Sequence, residues 1–147
     1  MPDPIAAARA FLSEDPDPET RAELRGLLER ADTGDEDARC EMVDRFSGPL
    51  EFGTAGLRGR VEVGLARMNR LVVMKAAWGV GTHLVEESAR GGPDPRRRGV
   101  VVGFDGRRSS RQFAEDTAAV LAGLGVPVHL FPGPVPTPLV SFAVPHL

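Results

Sequence analysis

The chain has 147 residues, of which 41% are hydrophobic and 27% charged, the composition of an ordinary soluble domain. Its formal charge of −3 hides an asymmetry: residues 1–47 hold 13 acids and 6 arginines, whereas residues 48–147 hold 8 acids and 12 bases. A single cysteine, Cys40, excludes an internal disulfide and a cysteine-based structural zinc site.

Other classes fall away on pattern. The first fifteen residues lack the basic stretch and long apolar core of a signal peptide, and no apolar run approaches the roughly 18 residues that a membrane span needs. The cytoplasm is the expected location, with no membrane partner. Lys75, the lone lysine, follows Met74, so no Gly-Lys-Ser/Thr phosphate loop exists. No basic helix with interleaved aromatics appears and tyrosine is absent, which argues against a nucleic-acid partner.

Residues 1–47 read as an acidic arm of three short helices. The first covers Ile5 to Leu12 and is broken by Asp15-Pro-Asp-Pro18. The second runs from Glu19 to Arg30, with Ala22, Leu24, Leu27 and Leu28 near one face. Asp35 caps a third that reaches Arg45, with Ala38, Met42, Val43 and Phe46 as its apolar side. Cys40 on that helix reads as core.

The character changes at Ser47-Gly-Pro49. Leu50-Glu-Phe-Gly-Thr-Ala-Gly-Leu-Arg-Gly-Arg60 follows, with glycines at 53, 56 and 59. Arg60-Val-Glu-Val-Gly64 alternates as a strand does. Asn69 is a cap for a long helix, Arg70 to Ala89, with Leu71, Met74, Trp78, Leu84 and Val85 as apolar contacts and Gly91 as its stop. Residues 91–98 read as a polar, arginine-rich loop.

Val100 to Phe104 is a continuous apolar strand, the kind covered on both faces in an α/β sheet. Ser109 and Gln112 fit a capping box for the next helix. Val126, Val128 and Leu130 alternate as another strand. Strand, helix, strand with short links is a βαβ unit and predicts a parallel pair. Thr137-Pro138 reads as cap and first residue of a last short helix.

Two segments carry candidate chemistry. In Phe52-Gly-Thr-Ala-Gly-Leu-Arg-Gly59, glycines permit positive φ and close backbone approach. Thr54 adds a hydroxyl, and Arg58 a guanidinium suited to two parallel bonds with phosphate. The segment is a phosphate-facing loop, or a tight turn with a surface arginine. Asp105-Gly-Arg-Arg-Ser-Ser110 lies at a strand's carboxyl end before a helix, where ligands and anions gather. Its residues equally serve as a helix cap and an aspartate–arginine pair. His83, His129 and His146 have no second ligand four residues on, so no metal site is expected.

Leu50 to Gly59, with Arg67-Met-Asn69, resembles the amino-terminal signature of the α-D-phosphohexomutases, nearest the phosphoglucomutase/phosphopentomutase branch. Val101 to Ala114, then Gly125 to Phe131 and Pro136-Thr-Pro138, extend the resemblance in the same order. It implies an α/β fold: a partial three-layer α/β/α domain I over residues 48–147, preceded by the helical arm of residues 1–47. It implies a parent enzyme that exchanges hexose 1- and 6-phosphates through a phosphoserine and a bisphosphate intermediate, assisted by Mg²⁺, with a phosphosugar as partner. Arg58 matches the family's arginine near the phosphoserine, with Thr54 and Gly56 shaping the same loop. Arg107 matches an arginine for which an indirect structural role is equally open. The phosphoserine, the metal ligands and the sugar-selecting loop have no match, and the nucleophile is expected beyond Leu147, so this stretch alone is expected to be inactive. A non-catalytic sugar-phosphate-binding or subunit-interaction module is the alternative reading, and a nucleotide-binding α/β protein a third. The sequence leaves the sugar and the oligomeric state open.

Overall fold

The computed structural model describes residues 3–54 and 56–147, and the chain divides into two compact units between Val72 and Val73. Three helices open the first unit: α1 (Pro4–Glu14), α2 (Pro18–Asp32) and α3 (Glu36–Phe46). Each begins at an aspartate whose carboxylate accepts a backbone N–H of the first turn: Asp3 from Ile5, Asp17 from Glu19 and Asp35 from Ala38. These caps satisfy donors that a helix leaves unpaired at its start. Prolines at positions 4 and 18 stand in the first turn, where the missing N–H costs nothing.

The three helices share a core of Ala8, Phe11, Leu24, Leu27, Leu28, Ala31, Ala38, Met42 and Phe46, to which Val63 and Leu71 also belong. Phe11 and Phe46 meet edge to face with ring centroids 5.7 Å apart. Burying each large side chain contributes about 1.5–3 kcal/mol. The predicted faces need three corrections: Ala22 and Val43 are exposed, and so is Cys40.

After α3 the chain forms β1 (Phe52–Gly53) against antiparallel β2 (Gly56–Leu57), a short hairpin that pairs Phe52 with Leu57 and Gly53 with Gly56. Residues 60–64 do not form the expected strand. They make only an isolated bridge, Val61 to Met68, because the Glu62 and Gly64 carbonyls are taken by the Asn69 side chain instead.

Helix α4 (Arg70–Ala89) starts at Asn69 as expected, with Asn69 Oδ1 accepting the Val72 N–H at 3.0 Å. It ends at Gly91, φ +95°, with the Gly92 N–H on Glu87 O at 2.9 Å and the Gly91 N–H on Ser88 O. This is the left-handed glycine termination. Trp78, expected as a contact, is 57% exposed.

Residues 91–98 are not wholly loop: Asp94 caps a one-turn helix, α5 (Pro95–Arg98). Strand β3 (Val100–Val102) pairs in parallel with β4 (Val128–Leu130), Val100 opposite Val128. Helix α6 (Ser110–Gly123) connects them, so the βαβ unit forms. The β3 valines are half-buried rather than covered on both faces. Gly103 allows the end of β3 to meet helix α7 (Thr137–Ala143): a Cβ there would stand 2.4 Å from Val140 Cγ2. The cap of α7 is Pro136, not Thr137. The architecture is mixed α/β. Among the described residues no helix is long and apolar enough to cross a membrane.

Candidate functional site

The hairpin owes its surface to strand periodicity. Alternate residues of a strand point to opposite faces, so Phe52 and Leu57 share one face and Gly53 and Gly56 the other. Extending the register by one pair sets Glu51 opposite Arg58. The glycine face is therefore bare backbone, with Thr54 at the tip and the Glu51–Arg58 pair at the base. Glu51, Gly53, Thr54, Gly56 and Arg58 together line an open depression of about 220 Å³. Gly56 holds φ +86°, a conformation that side chains resist. Ala55, in the same run, lies outside the described residues. Arg58 is exposed and makes no ion pair among the described residues. The structure thus brings together the three residues singled out from the sequence, Thr54, Gly56 and Arg58, and adds Glu51.

The base of the hairpin is anchored by Arg67 and Asn69, of which the sequence assigned only Asn69 a structural task, the cap of α4. Arg67 is buried; its guanidinium bonds Glu62 Oε1 at 2.6 Å and also pairs with Asp44 on α3. Asn69, 3% exposed, donates to Glu62 O at 3.1 Å and Gly64 O at 2.8 Å. The Leu50 N–H reaches Leu65 O, the Met68 N–H reaches Arg60 O and the Ala66 N–H reaches Arg45 O. Arg45 itself is buried among Glu23, Glu41 and Glu62 and donates to Val63 O at 3.2 Å. Burial opposes its charge, but the hydrogen bond and attraction of Glu23 outweigh it and hold the guanidinium above its ordinary pKa. Gly64 fits tightly against this cluster: φ is +144°, and a Cβ would lie 2.9 Å from Arg45 O. The Arg-Met-Asn run is thus a clamp that ties the segment after the hairpin to α3. Its signal was an arginine and an asparagine two residues apart at a helix start.

The second candidate segment belongs to the other unit. The Arg107 N–H and guanidinium both bond the Asp105 carboxylate, at 3.1 and 2.7 Å. The Arg107 N–H, the Ser110 hydroxyl and the Arg107 guanidinium hold the Asp105 carboxyl below its usual value of 3.8. The Arg107 side chain is 86% exposed. The capping box does not form: Ser109 takes a left-handed conformation, φ 68°, with no side-chain cap bond. Ser110 Oγ instead accepts the Asp105 N–H at 3.3 Å.

His129 is exposed on β4. Among the described residues no group of three or more His, Cys, Asp or Glu could hold a metal ion.

Residues 49–147 match the family model described as phosphoglucomutase/phosphomannomutase, alpha/beta/alpha domain I. The chain is similar to a phosphopentomutase of Mus musculus, 39% identical over 73% of this chain and 18% of the relative. It is 37% identical to a phosphoribomutase of Saccharomyces cerevisiae, over 100% of this chain and 22% of the relative. A glucose 1,6-bisphosphate synthase of Mus musculus is 36% identical over 93% of this chain and 21% of its own length. No solved structure matches. The chain spans about a fifth of the length of these relatives. With domain I matched from residue 49 through the hairpin, the clamp and the βαβ unit, the chain belongs to the phosphohexomutase family.

Proposed function

We propose that these residues form the leading part of a phosphosugar mutase, in which the glycine face of the 52–57 hairpin meets a phosphoryl group. The observation that supports this reading is the shared depression of Gly53, Thr54, Gly56 and Arg58. A phosphoryl group in transfer spreads negative charge over its oxygens, and catalysis consists largely of positioning and charge stabilisation. Arg58 supplies a fixed charge and paired donors. The two glycines let phosphate oxygens approach the backbone, and the Thr54 hydroxyl adds a donor. The clamp of Arg67 and Asn69 fixes where the hairpin stands, so the charge is placed before the anion arrives. Arg107 keeps Asp105 and its turn in shape rather than contacting substrate.

In this reading the serine that accepts the phosphoryl group lies in sequence beyond Leu147, and so do the ligands of the Mg²⁺ that assists the transfer. The sugar is a hexose or pentose monophosphate, activated by its bisphosphate. The exposed apolar side chains of the α7 region, Leu139, Phe142 and Val144, favour this reading over a self-contained binding module, which would bury them. The 147-residue chain, assayed with glucose 1-phosphate or ribose 1-phosphate plus Mg²⁺ and glucose 1,6-bisphosphate, shows no turnover. In the product of the whole gene, Arg58→Ala lowers kcat by about 10²–10³, the usual cost of one transition-state donor. Turnover by the chain alone, or an Arg58→Ala protein of unchanged rate, would overturn the proposal.

A further inference from the structure

Glu51 stands where a phosphate-binding loop has least use for a carboxylate. It precedes β1 as Arg58 follows β2, lines the same depression, and is exposed. Yet no hydrogen bond or ion pair joins it to Arg58 among the described residues, although opposite charges directly across a hairpin ordinarily attract. The rest of the depression beside them is bare glycine backbone at Gly53 and Gly56. A small anion that reaches Arg58 over the glycine face therefore shares the depression with the Glu51 carboxylate.

We infer that Glu51 is a specificity and release element of this loop: it weakens the grip of Arg58 on a dianionic phosphoryl group. The inference rests on the reading of the hairpin as phosphate-facing. Its chemical sense follows from the proposed reaction. A bisphosphate intermediate has to let go of one phosphate and present the other, so a loop that held a dianion tightly would stall the exchange. Binding that is equally strong before and at the transition state adds nothing to the rate. A carboxylate at the base of the loop opposes the resident dianion, and Arg58 still offers its donors to the group in transfer.

The magnitude follows from Coulomb's law. One carboxylate about 6 Å from a dianion in a water-like medium opposes binding by about tenfold, and by about threefold for a monoanion. The probe is inorganic phosphate, titrated into the product of the whole gene at low salt and followed by the amide resonances of Gly53, Thr54 and Gly56. Glu51→Gln, which keeps shape and removes charge, tightens binding of the dianion by about three- to tenfold, and added salt erodes the gain. Loss of a merely structural contact would not raise affinity. Arg58→Ala abolishes the saturable shifts. If Arg58→Ala binds as the parent does, the phosphate-facing reading itself fails. If Arg58→Ala loses binding while Glu51→Gln is unchanged or weaker, that reading survives and the role of Glu51 is overturned. No shift in either the parent or Glu51→Gln overturns both.

Discussion

Asn69 is the residue through which the clamp is tested most sharply. Its side chain performs two separable tasks. Oδ1 caps α4 by accepting the Val72 N–H, and Nδ2 donates to the Glu62 and Gly64 carbonyls. Asn69→Ala loses a cap of about 1 kcal/mol and leaves buried carbonyls without a donor at about 1–3 kcal/mol more, about 2–4 kcal/mol together. Asn69→Asp divides the two tasks. Aspartate caps a helix as well as asparagine does, so a residue that only capped would tolerate it. Here the substitution would aim a carboxylate oxygen at two carbonyl oxygens in a buried site. Equilibrium urea unfolding followed by circular dichroism measures both variants. The reasoning predicts that Asn69→Asp is destabilised at least as much as Asn69→Ala. An Asn69→Asp protein within about 0.5 kcal/mol of the parent, the ordinary range for a neutral surface change, would refute it.

Three further outcomes follow from the same geometry. Gly64→Ala combines a forbidden φ of +144° with a Cβ 2.9 Å from a backbone oxygen, and is expected to destabilise by about 1–3 kcal/mol in the same unfolding assay. Gly79, in α4, has open space where a Cβ would stand, so Gly79→Ala should stabilise by about 0.5–1 kcal/mol, read as a higher urea midpoint. The Asp35 carboxyl is held below 3.8 by the Ala38 N–H and by Arg30, so its contribution is complete above that value and is lost as pH falls through the lower folded pKa. The Tm gap between the parent and Asp35→Ala should therefore close on acidification through that window, not on raising the pH.

What the sequence made legible was local. Asp35 before α3, Asn69 before α4 and Gly91 after it act within one or two turns of their own positions. The parallel pairing of β3 with β4 followed from the short strand–helix–strand spacing. What escaped reading depends on distant partners. Alternation in residues 60–64 is real, but whether it becomes a strand depends on the Asn69 side chain taking the Glu62 and Gly64 carbonyls. The Ser-x-x-Gln spacing at 109–112 is a genuine capping signal, overridden by the left-handed turn at Ser109. The partners of Arg45 and Arg67 were not legible, and only the fold brings them to Glu23, Asp44 and Glu62. In the candidate site, Thr54, Gly56 and Arg58 were visible as a glycine-rich run. Glu51 was not, since its meaning lies in the register that sets it across from Arg58.

The central claim is that the hairpin, rather than the turn after β3, meets the phosphoryl group. Titrating the product of the whole gene with ribose 5-phosphate or glucose 6-phosphate and following the backbone amides of these two segments tests it most directly. The account predicts saturable shifts confined to residues 51–58 and absent in Arg58→Ala. Shifts centred on Asp105 to Ser110, with the hairpin silent, would contradict it.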